Sequence, residues 1–157
     1  MEAGQEGPGV RLPPPLVFAA GLGLGFLLQR AFPLSFTAAG NPLPRWLGAL
    51  LTLGSAALAL WAFLTFRRFH TTVRPDRPAS ALMVEGPFQY TRNPLYLSLS
   101  LLYTGIVLLT NAPWPALLLL PVLLVIRFHV IAREERHLAA RFGTEYEAYR
   151  RAVRRWF

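Results

Sequence analysis

Apolar residues run along this chain in long blocks, and the charges are confined to the gaps between them. The stretches Leu12 to Gln29, Trp46 to Phe66 and Asn93 to Ile126 carry no charged side chain. A helix needs about 20 residues to cross a hydrocarbon core at about 1.5 Å of rise per residue, so each block is long enough to cross or nearly so. The third is too long for one crossing and is interrupted by Asn111-Ala-Pro-Trp-Pro115, a run of helix-stopping and turn-forming residues. It therefore reads as a tight helical hairpin. The expected spans are Pro15 to Phe32, Leu47 to Phe66, Leu95 to Thr110 and Trp114 to Ala132, with residues 1–13 as a flexible tail.

The expected fold class is all-α: one polytopic membrane domain over 1–157, with about four transmembrane helices. The first block ends without a small-residue cleavage site and more spans follow, so it reads as a retained helix rather than a signal peptide. Gly21 and Gly25 stand four apart, the small-xxx-small spacing that lets helices approach closely in lipid. Pro121 is expected to bend the fourth span.

Beyond Glu135 the helical pattern continues out of the apolar block and stops at Gly143, a natural C-cap. A second helix starts at Thr144, which with Glu147 forms a capping box. Tyr146, Tyr149, Val153 and Trp156 fall within an arc of about 80°, and Arg150, Arg151, Arg154 and Arg155 occupy the other faces. The pattern predicts a C-terminal amphipathic helix on the membrane surface, its arginines meeting lipid phosphates. Such a helix could also cover a site formed between the polar clusters that flank the hairpin.

Composition agrees with this class: 54% of the 157 residues are hydrophobic and 15% charged. The net charge of +8 comes with sixteen basic residues, all arginine. On a soluble chain that balance suggests nucleic acid; here the arginines sort by loop. Arg67, Arg68, Arg74, Arg77 and Arg92 lie between spans two and three, seven follow Ala132, and the hairpin turn has none. The positive-inside rule then places the middle loop and both termini in the cytoplasm, in a multi-pass inner membrane protein, against only Arg30 and Arg45. Absence of cysteine excludes disulfides, thiolate metal sites and a thiol nucleophile. His70, His129 and His137 are too scattered for a metal site, and none is expected.

Two polar clusters bracket the hairpin: Glu85-Gly-Pro-Phe-Gln-Tyr-Thr-Arg-Asn-Pro-Leu-Tyr96 before it and Arg133-Glu-Glu-Arg-His137 after it. Charges against a lipid-embedded helix are costly unless they bind something. The order Gly86-Pro-Phe-x-Tyr-x-Arg-x-Pro-x-Tyr96, a two-span hairpin, then Glu134-Glu135-x-x-Leu138-x-x-x-Phe142-Gly143-x-x-Tyr146-x-x-Tyr149 and Val153-Arg-Arg-Trp156 resembles the isoprenylcysteine carboxyl methyltransferase and phospholipid methyltransferase family. The resemblance covers about residues 71 to 157, including Thr71-Thr72-x-x-Pro75, and makes that part the cofactor-binding core. One departure stands out: well-known members have Arg-His-Pro where this chain has Arg92-Asn93-Pro94. Asparagine hydrogen-bonds but cannot titrate near neutral pH.

The resemblance implies an integral-membrane methyltransferase that uses S-adenosyl-L-methionine and a small or lipophilic acceptor, with a carboxylate or amine as nucleophile. It implies cofactor contacts from Gly86, Tyr90, Arg92, Asn93, Pro94, Tyr96, Glu134 and Glu135, and catalytic roles for Arg133 and Glu135. Arg92 can pair with the cofactor carboxylate, and Glu134 or Glu135 can accept from ribose hydroxyls or the ammonium. Tyr90 and Tyr96 can flank the adenine or the sulfonium, while Gly86 and Pro94 shape the backbone. Arg127 or Arg133 could orient an acidic acceptor. Two other classes share these features: a non-catalytic membrane protein whose clusters are interfacial anchors, and an NADPH-dependent membrane reductase of related helical architecture.

Overall fold

The computed structural model describes residues 13–37, 41–69 and 82–156. Residues 1–12 of the expected tail, the Thr71-Thr72-x-x-Pro75 segment, His70, Arg74 and Arg77 lie outside the described residues. All regular structure among the described residues is helical: α1 Pro14–Ala31, α2 Leu43–Arg68, a short 3₁₀ turn Gly86–Gln89, α3 Pro94–Thr110, α4 Pro113–Val125, a π-helical turn Ile126–Ile131, and α5 Ala132–Ala152. Each of α1 to α4 begins with a proline in its first two positions, where the missing N–H would have had no helical partner.

Helix α2 starts four residues earlier than the expected span, at Leu43, and takes in Arg45. A charge within a turn or two of a helix end can reach the interface along its own aliphatic stem, so a charge-free criterion trims spans too short. Among the described residues three helices are long and apolar enough to cross a membrane: Pro14–Ala31, Leu43–Arg68 and the continuous Pro113–Ala152. Helix α3, the first arm of the hairpin, has 17 residues. In the long helix the uncharged sequence ends at Ile126, where the π turn begins; Arg127 is the first charge, within that turn, and the dense charged cluster starts at Arg133, beyond it.

The helices pack as two antiparallel pairs. In the α1–α4 pair, a Cβ on Gly21 would strike Val122, and one on Gly25 would lie 2.5 Å from the Pro115 backbone. The small-residue spacing thus marks a true helix seam; Gly23, on the other side, has open space. In the α2–α3 pair, a Cβ on Gly48 would lie 2.7 Å from the Gly105 carbonyl, and the Ser55 hydroxyl crosses to the Ser98 carbonyl at 2.8 Å. The pairs meet around Phe18, Tyr103, Val107, Val122 and Ile126, where the Tyr103 hydroxyl donates to the Pro115 carbonyl at 2.8 Å. A buried phenol needs such a partner.

Asn111 closes the α3–α4 hairpin in the left-handed region, φ 52. Its side chain ties this end to the connection after α1, accepting from the Phe36 and Thr37 amides at 3.1 and 3.3 Å and donating to the Thr37 carbonyl at 3.0 Å. At the opposite end of the bundle the start of α1, the end of α2, the start of α3 and α5 come together. Helix α4 continues through Pro121, and the departure from α-helical geometry falls later, in the π turn. A π turn admits one extra residue per turn and so resets the phase between the apolar segment and the polar one that follows.

Gly143 interrupts α5 with φ 50 and ψ −121, the break expected there. The second piece ends at Ala152, not near Trp156: Val153 is extended, φ −120 and ψ 131. Residues 153–156 form a strap that returns to the bundle, where Trp156 packs against the core.

Candidate active site

The site is built on the turn that enters α3. Gly86 adopts φ +59, and a Cβ there would lie 2.5 Å from the Thr65 hydroxyl, so only glycine lets this turn press against α2. Pro87 and Phe88 are buried behind it, with Phe88 edge-on to Phe66 at 5.2 Å. Pro94 is fully buried at the first turn of α3. The turn leaves Arg92 directed at α5 and Tyr96 one helical turn further along.

Arg92 and Glu135 meet as the sequence pattern suggests, with Nη1 3.0 Å from Oε1 and side-chain exposures of 10% and 14%. Glu135 also accepts from Arg155 Nε at 3.0 Å and Nη2 at 2.6 Å. One carboxylate therefore serves two guanidinium groups, a cluster of net charge +1. Arg92 Nη1 also donates to the Tyr146 hydroxyl at 3.1 Å, while Arg92 Nε is buried with no partner. A buried donor left unpaired costs about 1–3 kcal/mol, more when it is charged.

Glu134 faces the other way and accepts from the Tyr96 hydroxyl at 2.7 Å. Burial pushes its carboxyl up to about 7; the bond from Tyr96 opposes the rise and the charge of Glu135 adds to it. Two adjacent glutamates thus have different chemistry, one locked between arginines and one with a proton affinity near neutral. The bonds that Arg155 donates to Glu135 push its guanidinium up, and burial raises the Tyr146 and Tyr149 phenols.

Other candidates lie apart from this cluster. Tyr90 is 70% exposed with its ring 6.0 Å from Trp61 of α2. Arg133 is exposed, and Arg127 is exposed with its guanidinium over Phe128. Asn93 is buried, and its amide donates to the Arg155 carbonyl at 3.0 Å rather than turning toward Glu134 or Glu135.

Four residues of the cluster were not picked out as site residues by their spacing. Tyr146 and Tyr149 belong to the apolar arc of the C-terminal helix, yet Tyr146 is buried against Arg92 and Tyr149 donates to the Phe88 carbonyl at 2.7 Å. That face covers the protein's own turn. Arg155 reads as a phosphate-facing arginine on a helical projection; the extended backbone after Ala152 carries it to Glu135 instead. Thr91 gave no signal, and its hydroxyl donates to the Arg155 carbonyl at 3.1 Å.

No curated protein and no solved structure matches the chain. The sequence profile described as phospholipid methyltransferase matches residues 43–145. That stretch is well over half of the 157 residues and takes in α2, the Gly86–Tyr96 turn, the hairpin and both glutamates. A multi-helix membrane architecture with the Arg92–Glu135 cluster at one end of its bundle and this match over its centre together place the chain in the phospholipid methyltransferase family.

Proposed function

We propose that the protein catalyses S-adenosylmethionine-dependent methyl transfer to a small or lipophilic acceptor, a carboxylate or an amine, at the cytoplasmic face of a membrane. The observation that carries the reading is Arg92: 10% exposed, held by Glu135 and Tyr146, with its Nε–H buried and unpartnered. An unpaired guanidinium donor in a cluster of net positive charge fits the carboxylate of an amino-acid moiety. Glu134, hydrogen-bonded to Tyr96, fits an ammonium or a ribose hydroxyl. These residues match the polar half of the cofactor, which supplies an electrophilic methyl carbon when bound.

In this reading Arg92, Tyr96, Glu134 and Glu135 hold the cofactor, Gly86, Asn93 and Pro94 shape the turn that presents Arg92, and Tyr90 borders the lipid side. Glu135 acts by fixing Arg92, and exposed Arg133 orients an acidic acceptor. Burying the reactants at the end of the bundle excludes water from the nucleophile and sets its approach, which supply much of the rate. Helix α3 makes the fourth crossing, and the arginine-rich end faces the cytoplasm.

Calorimetric titration of detergent-purified protein with S-adenosylhomocysteine and, separately, NADPH tests this. About micromolar binding of the nucleoside, lost in Arg92→Ala and weakened in Arg92→Lys, is the expected result. A folded protein that binds neither ligand overturns it, and binding of NADPH alone moves the site to reductase chemistry.

A further inference from the structure

The strap that follows α5 lies beyond the residues matched by the family profile, and it is the strap that completes the Arg92–Glu135 cluster. Its backbone is held at both ends of a short run on the α3 turn. The Arg92 amide donates to the Arg154 carbonyl at 3.0 Å, while the Arg155 carbonyl accepts from Asn93 Nδ2 at 3.0 Å and from the Thr91 hydroxyl at 3.1 Å. The Asn93 amide, in turn, donates to the Thr91 hydroxyl at 3.3 Å. Trp156 packs against the core beyond these bonds. The partner of the Asn93 side chain is a carbonyl, which can only accept, so its nitrogen must face the strap.

These bonds put the Arg155 backbone beside residues 91–93 while its guanidinium grips Glu135 through two bonds, and Glu135 in turn grips Arg92. We infer that Asn93 and Arg155 are positioning residues: Asn93 clasps the C-terminal strap, and the strap brings Arg155 to Glu135 so that Arg92 is held with its Nε–H directed to the ligand. The inference rests on the reading of Arg92 as the cofactor-carboxylate ligand. It assigns position 93 a donor's role that needs no proton transfer. An asparagine meets that need at every pH where the protein is folded, and an imidazole N–H can meet it too. An aspartate cannot, because above about pH 4 it presents only acceptors to a carbonyl.

The test pairs S-adenosylhomocysteine affinity with amide hydrogen exchange in a peptide covering residues 89–95, since the Arg92 amide is protected through its bond to the strap. Asn93→Asp and Arg155→Ala are each expected to weaken binding about tenfold, the worth of one well-placed hydrogen bond, and to speed exchange at Arg92. Because both act through one clasp, the double variant should bind no more than about twofold more weakly than the worse single one. Asn93→His should keep affinity within about threefold and slow exchange, and Arg155→Lys should fall between wild type and Arg155→Ala.

Additive losses, or loss of binding in Asn93→His, overturn the clasp. Binding that stays at the wild-type level in variants whose Arg92 amide exchanges fast overturns the positioning role and leaves the methyltransferase reading standing. Absence of binding in the wild-type protein overturns that reading, and the positioning role with it, whatever the exchange shows.

Discussion

Replacing Glu135 with glutamine should destabilise the protein by about 3–6 kcal/mol, and the figure follows from who loses a partner. The carboxylate takes three bonds from two cations: 3.0 Å from Arg92 Nη1, and 3.0 and 2.6 Å from Arg155 Nε and Nη2. An amide of the same shape accepts through one oxygen and turns two N–H donors toward guanidinium donors. Removing one partner of a buried ion pair costs about 3–5 kcal/mol because the other charge stays buried. Arg92, 10% exposed, bears that cost. Arg155, 32% exposed, recovers water and loses only about as much as a surface pair, about 0–1 kcal/mol. Unfolding in mixed detergent micelles, followed by tryptophan fluorescence, measures the sum. In an Arg155→Ala background the Glu135→Gln cost should shrink by about 1 kcal/mol. Raising salt from about 0.1 to about 0.5 M should change it little, since buried pairs are poorly screened. A cost below about 1 kcal/mol, or one abolished by salt, would refute the buried network and make the cluster an ordinary surface pair.

Gly25→Ala should cost about 1–3 kcal/mol in the same unfolding assay because its Cβ would lie 2.5 Å from the Pro115 backbone, whereas Gly23→Ala, with open space, should not destabilise. Asn111→Ala should cost about 2–3 kcal/mol, combining lost bonds to Phe36 and Thr37 with a side chain in the left-handed region, and Asn111→Gly should recover about 1 kcal/mol of it. Glu134 sets a pH dependence: its carboxyl is raised to about 7 in the folded state, so the folded form binds the extra proton between its ordinary value of 4.5 and about 7. Stability should therefore fall as pH rises through that window and level off above it, and Glu134→Gln should flatten the slope.

The helical blocks were legible because a chain that crosses lipid as helices must keep each crossing apolar, and charge-free runs report that directly. The Gly21–Gly25 seam and the break at Gly143 were legible for a similar reason, since each depends on a missing side chain. The Arg92–Glu135 pair could be anticipated from two polar clusters at either end of one hairpin. Periodicity failed where the backbone ceases to be periodic. A helical projection continued past Ala152 sends Arg155 toward lipid, but the chain is extended from Val153 and the strap pairs with residues 91–93. Nothing local marks that change: the partners are about sixty residues away, and their bonds run mainly to carbonyl oxygens that every residue has. Tyr90 shows how a motif position leaves the direction of a side chain open. Its place in the motif suggests a ligand-facing ring, while its φ/ψ at the end of a 3₁₀ turn swings it out against Trp61.

An interfacial anchor and a ligand site make different demands on an arginine. An anchoring guanidinium gains by reaching headgroup phosphates and water, with its stem lying along apolar surface; Arg150 and Arg151, exposed on α5, meet that description. Arg92 does not, because it is directed into the protein, ringed by Glu135 and Tyr146, and one of its donors is both buried and unpaired. Rigidity alone does not explain the arrangement either, since well-packed apolar residues in place of a buried charged cluster are often as stable or more so. A cluster with two cations to one anion, one open donor and a second glutamate of near-neutral proton affinity is costly as a strut. In the proposed reading that cost is offset by holding an anionic group beside a hydroxyl or ammonium, which is the demand an amino-acid moiety makes.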